Sequence, residues 1–363
     1  MNIKQGHIDR RQATALLWLA ASAKVLLVVP ALLVGEGFSA SWLIPLGSAT
    51  IVAAAVLPGL ALMKRFPGRS LAGAAEEAVG PIAGRAAGLV LAAFLATDAA
   101  LVLRQFSDTF GSVILPRTPI PVITLVLVLT AVYSAYTGLE SIGRLSMFLV
   151  PWLLSFYALV PTGGPPEPSL ARLLPFWGPG PGNLAVQALE HTGLYSELLT
   201  LLILIPYLRK PAAGRSVAFW VIGLTAAVMT LVQVAVVATF DVLGPDRLLY
   251  PAIHLVHLVT LGRLDASIEP LFILIWVLIV TVKLSVVLWT LSTHLAETLR
   301  LPQFKPLLPI LAVIALAGSL LPGGLQQTNN LYHVTVTHVG GAAVFVLPGL
   351  LWLAAVLRGR RAA

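Results

Sequence analysis

The sequence predicts an all-α integral membrane protein, on two observations. Of the 363 residues, 58% are hydrophobic and only 10% are charged, whereas about 25% of residues are charged in a typical soluble domain. The apolar residues also lie in runs of about 20, the length of a helix that crosses a hydrocarbon core of about 30 Å. Barrel strands are only about 10 residues long. Runs of this length therefore indicate helices, which satisfy their own backbone polar groups in lipid.

Ten apolar runs predict ten membrane spans, which we number in chain order. Spans 1 to 5 cover residues 12–34, 41–63, 86–114, 119–139 and 142–161, and spans 6 to 10 cover residues 184–208, 215–241, 268–296, 306–322 and 334–357. We expect a single membrane domain over residues 1–363, with its first half at about 12–161 and its second half at about 184–357.

Span 1 begins like a secretory signal peptide, because Lys4, Arg10 and Arg11 precede an apolar run that contains small residues. The run continues past Ala23 to Val34, however. A signal peptide has only about 7 to 15 apolar residues. We therefore expect span 1 to remain as a membrane helix.

The basic residues predict that both termini lie in the cytoplasm. In that orientation the cytoplasmic segments carry 16 Lys and Arg residues and the outer segments carry 4, while Lys24, Arg104 and Lys283 lie within spans. Cytoplasmic loops of membrane proteins are enriched in Lys and Arg. The net charge of +8 thus indicates topology rather than nucleic-acid binding, since the basic residues form short clusters between apolar runs.

Motifs of the common enzyme classes are missing from the sequence, which has no HExxH, GxGxxG, GxSxG or Walker motif. It also has no cysteine, which excludes disulfides and thiolate metal ligands. His254 and His257 are three residues apart, but no carboxylates cluster around them, so we interpret them as interfacial residues. We expect no enzymatic activity, no cofactor and no metal site.

Ionisable residues inside the spans point to function, because a charged group at the bilayer centre costs about 2.5 kcal/mol or more. In span 3, Asp98 lies deep in the run and has no partner of opposite charge at helical spacing. It is therefore a candidate functional residue. Arg104 and Asp108 are four residues apart, and we predict that they form a structural pair.

Spans 1, 6 and 8 carry the remaining buried charges, which are Lys24, Glu190, Glu197 and Lys283. Together with Asp98 they predict one buried polar centre. The alternative is that they form separate pairs that only hold the bundle together. We favour the single centre, because buried ion pairs are poor sources of net stability.

Four segments carry a resemblance to a known family: PRTPIPVI at 116–123, YTGLESIGR at 136–144, IPYLRKP at 205–211 and LFILIWVLIVTVKLSVVLW at 271–289. Over nearly its whole length the chain resembles the spore-germination permeases. These are the B subunits of nutrient germinant receptors and belong to the amino acid/polyamine/organocation transporter superfamily. The resemblance implies two inverted five-helix repeats, spans 1–5 and 6–10, with spans 1 and 6 broken around a small-molecule site.

The resemblance also implies the residues of that site. It places the break of span 1 at Ser22, Ala23, Lys24 and Val25, and the break of span 6 at His191, Thr192, Gly193 and Leu194. Glu197 matches the acidic residue of the family's span 6, and Asp98 and Lys283 are expected to join the ligand-binding site. Lys24 is a departure, since the family commonly has glycine there. We expect Lys24 to pair with Glu197 across the two breaks.

For function, the resemblance implies the nutrient-binding subunit of a spore germinant receptor, with an amino acid as the expected ligand. A-type and C-type receptor subunits are the expected partners, and the inner spore membrane is the expected location. One alternative is an active proton- or cation-coupled amino acid transporter. Another is a water or ion conduit that opens on germination.

Overall fold

The computed structural model describes residues 6–159, 168–240, 250–258, 260–261, 266–267 and 269–360, and it is almost entirely helical. Its helices are α1 (Arg10–Ser22), α2 (Val29–Gly37), α3 (Leu43–Ala55), α4 (Leu57–Arg65), α5 (Leu71–Val79), α6 (Pro81–Thr109), α7 (Ile120–Thr137), α8 (Leu139–Leu159), α9 (Pro181–Glu190), α10 (Glu197–Leu204), α11 (Gly214–Phe240), α12 (Pro251–Leu258), α13 (Glu269–Thr298), α14 (Leu307–Ser319), α15 (Leu325–Val334) and α16 (Leu347–Leu357). Two short strands, β1 (Thr260–Leu261) and β2 (Ala266–Ser267), pair antiparallel. His254 lies on α12, whereas the side chain of His257 lies outside the described part of the chain.

Six helical segments of the described chain are long and apolar enough to cross a membrane. They correspond to predicted spans 2, 3, 4, 5, 7 and 8, and they cover Leu43–Arg65, Pro81–Ile114, Ile120–Thr137, Leu139–Leu159, Pro211–Phe240 and Pro270–Thr298. Their length and hydropathy confirm the prediction of an integral membrane protein.

Two more helix pairs are bent at short breaks. α1 and α2 meet at 65°, and the 3₁₀ turn Ala23–Leu26 lies between them. α9 and α10 meet at 43°, with the 3₁₀ turn His191–Tyr195 at the break. Pro30 lies in the first turn of α2, a position where its missing amide hydrogen costs no helical bond. If each bent pair counts as one span, the described residues contain eight spans.

The chain differs most from the prediction in spans 9 and 10. α14 has only 13 residues, because it starts after Pro306 and ends before the sequence Pro322-Gly323-Gly324. The last helical stretch begins at Leu325 rather than at 334 and passes through two π turns before α16. Gly341 lets this stretch approach the α9–α10 break, since a Cβ atom there would lie 2.9 Å from Thr192 Oγ1.

α6 and α13 lie at the centre of the bundle. α13 contacts α1, α6, α7 and α8, while α6 also contacts α5, α14 and α15. α1 packs against α8, α11 and α13. Stacking of Trp276 on Phe110, with ring centroids 5.0 Å apart, fills the space beside α6. One helix of each bent pair, α1 and α10, therefore packs against the long helix α13.

The chain before α1 is fixed to the end of α10. Ile8 N donates to Tyr207 O at 3.2 Å, and Arg209 N donates to Ile8 O at 3.0 Å. Asp9 caps α1 by accepting from Gln12 N, and the Gln12 side chain accepts from Asp9 N, which is a capping box. These contacts set the relative position of the two bent pairs.

Candidate functional site

Lys24 lies in the 3₁₀ turn between α1 and α2, and its side chain is 3% exposed. Its ammonium group donates to Leu194 O at 2.8 Å, to Glu197 Oε2 at 2.9 Å and to Ser196 Oγ at 3.5 Å. The contact expected between Lys24 and Glu197 is thus present. It joins the break of one bent pair to the break of the other.

Glu197 is the first residue of α10, where the positive end of the helix dipole favours a carboxylate. Its second oxygen, Oε1, accepts from Lys283 Nζ of α13 at 2.6 Å. All three side chains are at most 5% exposed. One carboxylate therefore holds two buried ammonium groups, and the three residues connect the turn between α1 and α2 to α10 and α13. We call Lys24, Glu197 and Lys283 the charge triad.

Asp98 of α6 is buried beside the triad and interacts electrostatically with its two lysines. Within the described chain no group donates a hydrogen bond to Asp98 or forms an ion pair with it. An ionised Asp98 would balance the second lysine, because the triad alone carries two positive charges and one negative charge. Tyr332 of α15 also lies within electrostatic range of Asp98.

The structure places the other predicted residues around the two breaks. Ser22, Ala23 and Val25 are buried next to Lys24. Thr192 Oγ1 donates to Leu189 O at 2.9 Å. Glu190 is exposed, so its predicted place in the polar centre is wrong. It is the last residue of α9, and its side chain points away from the buried charges.

His191 at the α9–α10 break forms a hydrogen bond through Nε2 with Glu36 near the end of α2. The His191 ring is fully buried, and its Nδ1 has no hydrogen-bond partner among the described residues. Glu36 was not predicted as a site residue, because it lies just beyond the apolar run of span 1. This pair forms a second link between the two bent pairs.

A cavity of about 160 Å³ lies next to this link. It is bounded by the start of α2, the break before α10, and α15. Its lining residues are Val28, Val29, Leu32, His191, Leu194, Gln326, Asn329, Asn330, Tyr332 and His333. Sequence reasoning missed the α15 residues, since predicted span 10 began only at 334. The polar run QQTNN at 326–330 was the signal that could have identified them.

Arg104 and Asp108 form an ion pair at 2.8 Å on α6. Arg104 also donates to the carbonyl groups of Ser319 and Pro322, and Asp108 accepts from Thr328 Oγ1 at 3.1 Å. The pair therefore fixes the α14–α15 connection to α6. It lies nearer the C-terminal end of α6 than Asp98 does.

The model of the family described as "Spore germination protein" matches residues 7–325 of the chain. The chain belongs to the spore germination protein family. This match covers both bent pairs, the charge triad and all helices from α1 to α14. It also identifies the chain as a transport- or receptor-type protein rather than an enzyme. A comparison with curated protein sequences finds no match.

Two solved structures are similar in fold to this spore germination protein. One is Mhp1, a nucleobase-cation-symport-1 family transporter in a closed conformation with bromovinylhydantoin bound, with a TM-score of 0.67 and 15% identity over 97% of this chain and 78% of that chain. Another is MhsT in complex with L-phenylalanine, with a TM-score of 0.56 and 14% identity over 97% of this chain and 100% of that chain. At this identity the likeness shows the fold alone.

Proposed function

We propose that this chain is the membrane-embedded nutrient-binding subunit of a spore germinant receptor. The observation that carries the proposal is the charge triad, in which Glu197 joins Lys24 at one helix break to Lys283 on α13. A ligand that competes for one of these charges changes the contacts that hold three helices together. Ligand binding then shifts the bundle between two arrangements according to its relative affinity for them.

The proposed architecture has ten spans in two inverted five-helix repeats. The bent pairs α1–α2 and α9–α10 would be the broken spans 1 and 6, and α14 and α15–α16 would be spans 9 and 10. Broken helices of this kind place backbone polar groups and helix ends at the middle of the membrane, where a ligand can use them. The fold of the two similar transporters supports this arrangement.

The proposed ligand of the charge triad is an amino acid. Its carboxylate would compete with Glu197 for Lys24 or Lys283, and its ammonium group would bind the released carboxylate or Asp98. The backbone at Ala23–Leu26 and His191–Tyr195 supplies the polar groups next to these charges. MhsT, which has the same fold, was solved with L-phenylalanine.

The family suggests the inner spore membrane as the location of the chain, and the distribution of Lys and Arg in the sequence supports a cytoplasmic position of both termini. The proposed partners are A-type and C-type receptor subunits, which would detect the rearrangement of the bundle. Genes for such subunits beside the gene for this chain would support this assignment.

Germination of spores from the source organism tests the proposal. Spores carrying Glu197→Gln are expected to lose the amino acid response, because a neutral amide at this position cannot hold two ammonium groups. Spores carrying Glu140→Gln, which removes an exposed pair with Arg144, are the matched control and should respond normally. A normal response of Glu197→Gln spores that contain the full-length chain would rule out the triad as the ligand-sensing element.

The second candidate is a proton- or cation-coupled amino acid transporter, and the observation that favours it is Asp98. A buried carboxyl group without a hydrogen-bond partner in the described chain, next to two lysines, can take up and release a proton during a transport cycle. Uptake of labelled amino acid into proteoliposomes containing the purified chain alone would favour the transporter over the sensor. Ion current without uptake would favour the third candidate, a conduit that opens on germination.

A further inference from the structure

A surface groove of about 270 Å³ lies between α1, α8 and α11. α1 packs against both of the other helices, and all three begin at the same end of the bundle. Arg10 Nη1 of α1 donates to Ser216 Oγ of α11 at 3.4 Å. A Cβ atom on Gly143, near the start of α8, would lie 3.4 Å from the Cβ of Gln12 on α1. The groove therefore begins where the first turns of the three helices meet.

This end of the groove is positively charged. Arg10 and Arg11 line it from the first turn of α1, and both side chains are exposed. Neither forms an ion pair within the described chain, and none of the described lining residues is Asp or Glu. The carboxylate of Asp9, just before them, accepts from Gln12 N and so caps α1. The two guanidinium groups are therefore accessible and uncompensated.

The rest of the groove is apolar and faces outward. Its walls include Met147 and Leu154 of α8, which are 39% and 50% exposed, and Trp220 of α11, which is 57% exposed. Tryptophan is enriched at the membrane–water interface. The wall on α1 continues from Arg10 to Trp18, a distance of about 12 Å at 1.5 Å per residue. The groove thus passes from charged groups at the interface to an apolar channel open to the hydrocarbon.

This order of groups matches that of an anionic phospholipid. Guanidinium groups bind phosphate oxygens by charge-assisted hydrogen bonds, which are often bidentate. An acyl chain attached to the phosphate enters the apolar part of the groove. A soluble phosphate leaves that apolar part unused, whereas a lipid without net charge leaves the guanidinium groups uncompensated. Basic pockets between membrane helices are known to bind anionic headgroups.

We propose that this groove binds one anionic phospholipid. Arg10 and Arg11 hold its phosphate, and an acyl chain lies against Met147 and Leu154. The bound lipid stabilises the packing of α1 against α8 and α11. Since α1 leads into the turn that contains Lys24, the lipid also supports the helix that positions the charge triad. The inference does not depend on an amino acid binding at the triad.

Native mass spectrometry of the full-length chain in neutral detergent tests this inference, because it counts the lipids bound. Phosphatidylglycerol and phosphatidylcholine with identical acyl chains are compared. The first phosphatidylglycerol should bind at least about tenfold more tightly, because the choline cation cancels the phosphate charge. Glycerol 3-phosphate, which lacks acyl chains, should not displace it at the same concentration. Equal affinity for the two lipids, or displacement by glycerol 3-phosphate, would overturn the proposal on the unaltered chain.

Two double variants locate the site. Arg10→Gln with Arg11→Gln should weaken binding of the first phosphatidylglycerol at least about tenfold, to the level of phosphatidylcholine. Arg209→Gln with Lys210→Gln is the matched control. It removes two adjacent basic residues at the same end of the bundle, where Arg209 N donates to Ile8 O, but neither lines the groove. All four side chains are exposed, so both variants should melt like the original chain.

The control variant should bind phosphatidylglycerol like the original chain. Equal loss of binding in both double variants would show that the two arginines act only through the net charge of the protein. Unchanged binding in the variant that lacks Arg10 and Arg11 would show that the lipid lies elsewhere. Either result contradicts the assignment of the groove.

Discussion

Lys283 Nζ lies 2.6 Å from Glu197 Oε1, so the long helix α13 is joined to the first residue of α10. The other oxygen of the same carboxylate is held by Lys24. A single acidic side chain thus connects the 30-residue helix α13 to two helix breaks.

The charge balance around Lys283 gives the first prediction. Lys283→Met removes one positive charge and leaves Asp98 without a nearby cation of its own, so we expect a lower apparent melting temperature. Breaking a buried pair in this way costs about 3 to 5 kcal/mol. Adding Asp98→Asn should recover much of that loss, because the remaining Lys24–Glu197 pair is neutral. Thermal unfolding in detergent measures the loss of stability in Lys283→Met and its recovery in the double variant. A double variant no more stable than Lys283→Met would show that Asp98 does not balance the triad.

The second prediction concerns Arg104. Arg104→Ala should destabilise the protein by about 3 kcal/mol, because it leaves Asp108 buried and frees the carbonyl groups of Ser319 and Pro322. Arg144→Ala is a suitable control, since the Arg144 side chain is 72% exposed and such pairs contribute about 1 kcal/mol or less. If Arg104→Ala keeps its stability but loses the germination response, the pair has a functional role rather than a structural one.

The third prediction is a pH dependence at Glu76, which lies on α5 outside the long spans. Burial raises the pKa of Glu76, but hydrogen bonds and charges from Arg300 and Arg85 outweigh it and hold the pKa below its ordinary value. The stabilisation is therefore present above the ordinary carboxyl pKa of about 4.3 and is lost as the pH falls through the lower folded-state pKa.

Melting temperatures measured as a function of pH check this. At neutral pH the free energy of unfolding of Glu76→Gln should be lower than that of the original chain by about 1 kcal/mol or less, because both arginines are about half exposed. Its melting temperature should therefore be slightly lower. The difference should shrink at acidic pH. A constant difference over the whole range would show that the carboxylate charge has no part in the contact.

The fourth prediction concerns topology, and the lack of cysteine makes the test simple. Single cysteines at the exposed positions Arg144 and Arg209 should react with a membrane-impermeant maleimide only from the cytoplasmic side. One at the exposed position Arg117 should react only from the outer side. Labelling of all three from one side would contradict the ten-span topology.

Much of the charge triad could be predicted from the sequence. An ammonium group far from either end of an apolar run has no access to water and must find a carboxylate, which made a contact between Lys24 and Glu197 predictable. The shared partner was not predictable, because the position of α13 relative to α10 depends on packing. Glu190 was misplaced for a similar reason. Seven-residue spacing puts it on the same face of a straight helix as Glu197, but the chain bends between them.

The sequence analysis missed the cavity because hydropathy identifies apolar segments and does not detect polar helical segments. The residues around Asn329 belong to α15, which continues directly into the apolar end of the chain. A hydropathy boundary at 334 therefore cut the helix and left its amides in a predicted loop. The sequence analysis also missed Glu36. Its contact is with His191, which is distant in sequence and lies beside it only because both helix pairs are bent.

A double-mutant cycle on Lys24 and Glu197 tests the central claim most directly. Lys24→Met, Glu197→Gln and the combined variant are compared with the original chain by their free energies of unfolding in mixed micelles. We expect each single change to be strongly destabilising and the combined change to be milder than their sum, with a coupling energy of about 3 kcal/mol, as for other buried charged partners. The exposed pair Glu140–Arg144 should give a coupling of about 0.5 kcal/mol. A coupling energy near zero for Lys24 and Glu197 would contradict the claim that this pair joins the two helix breaks.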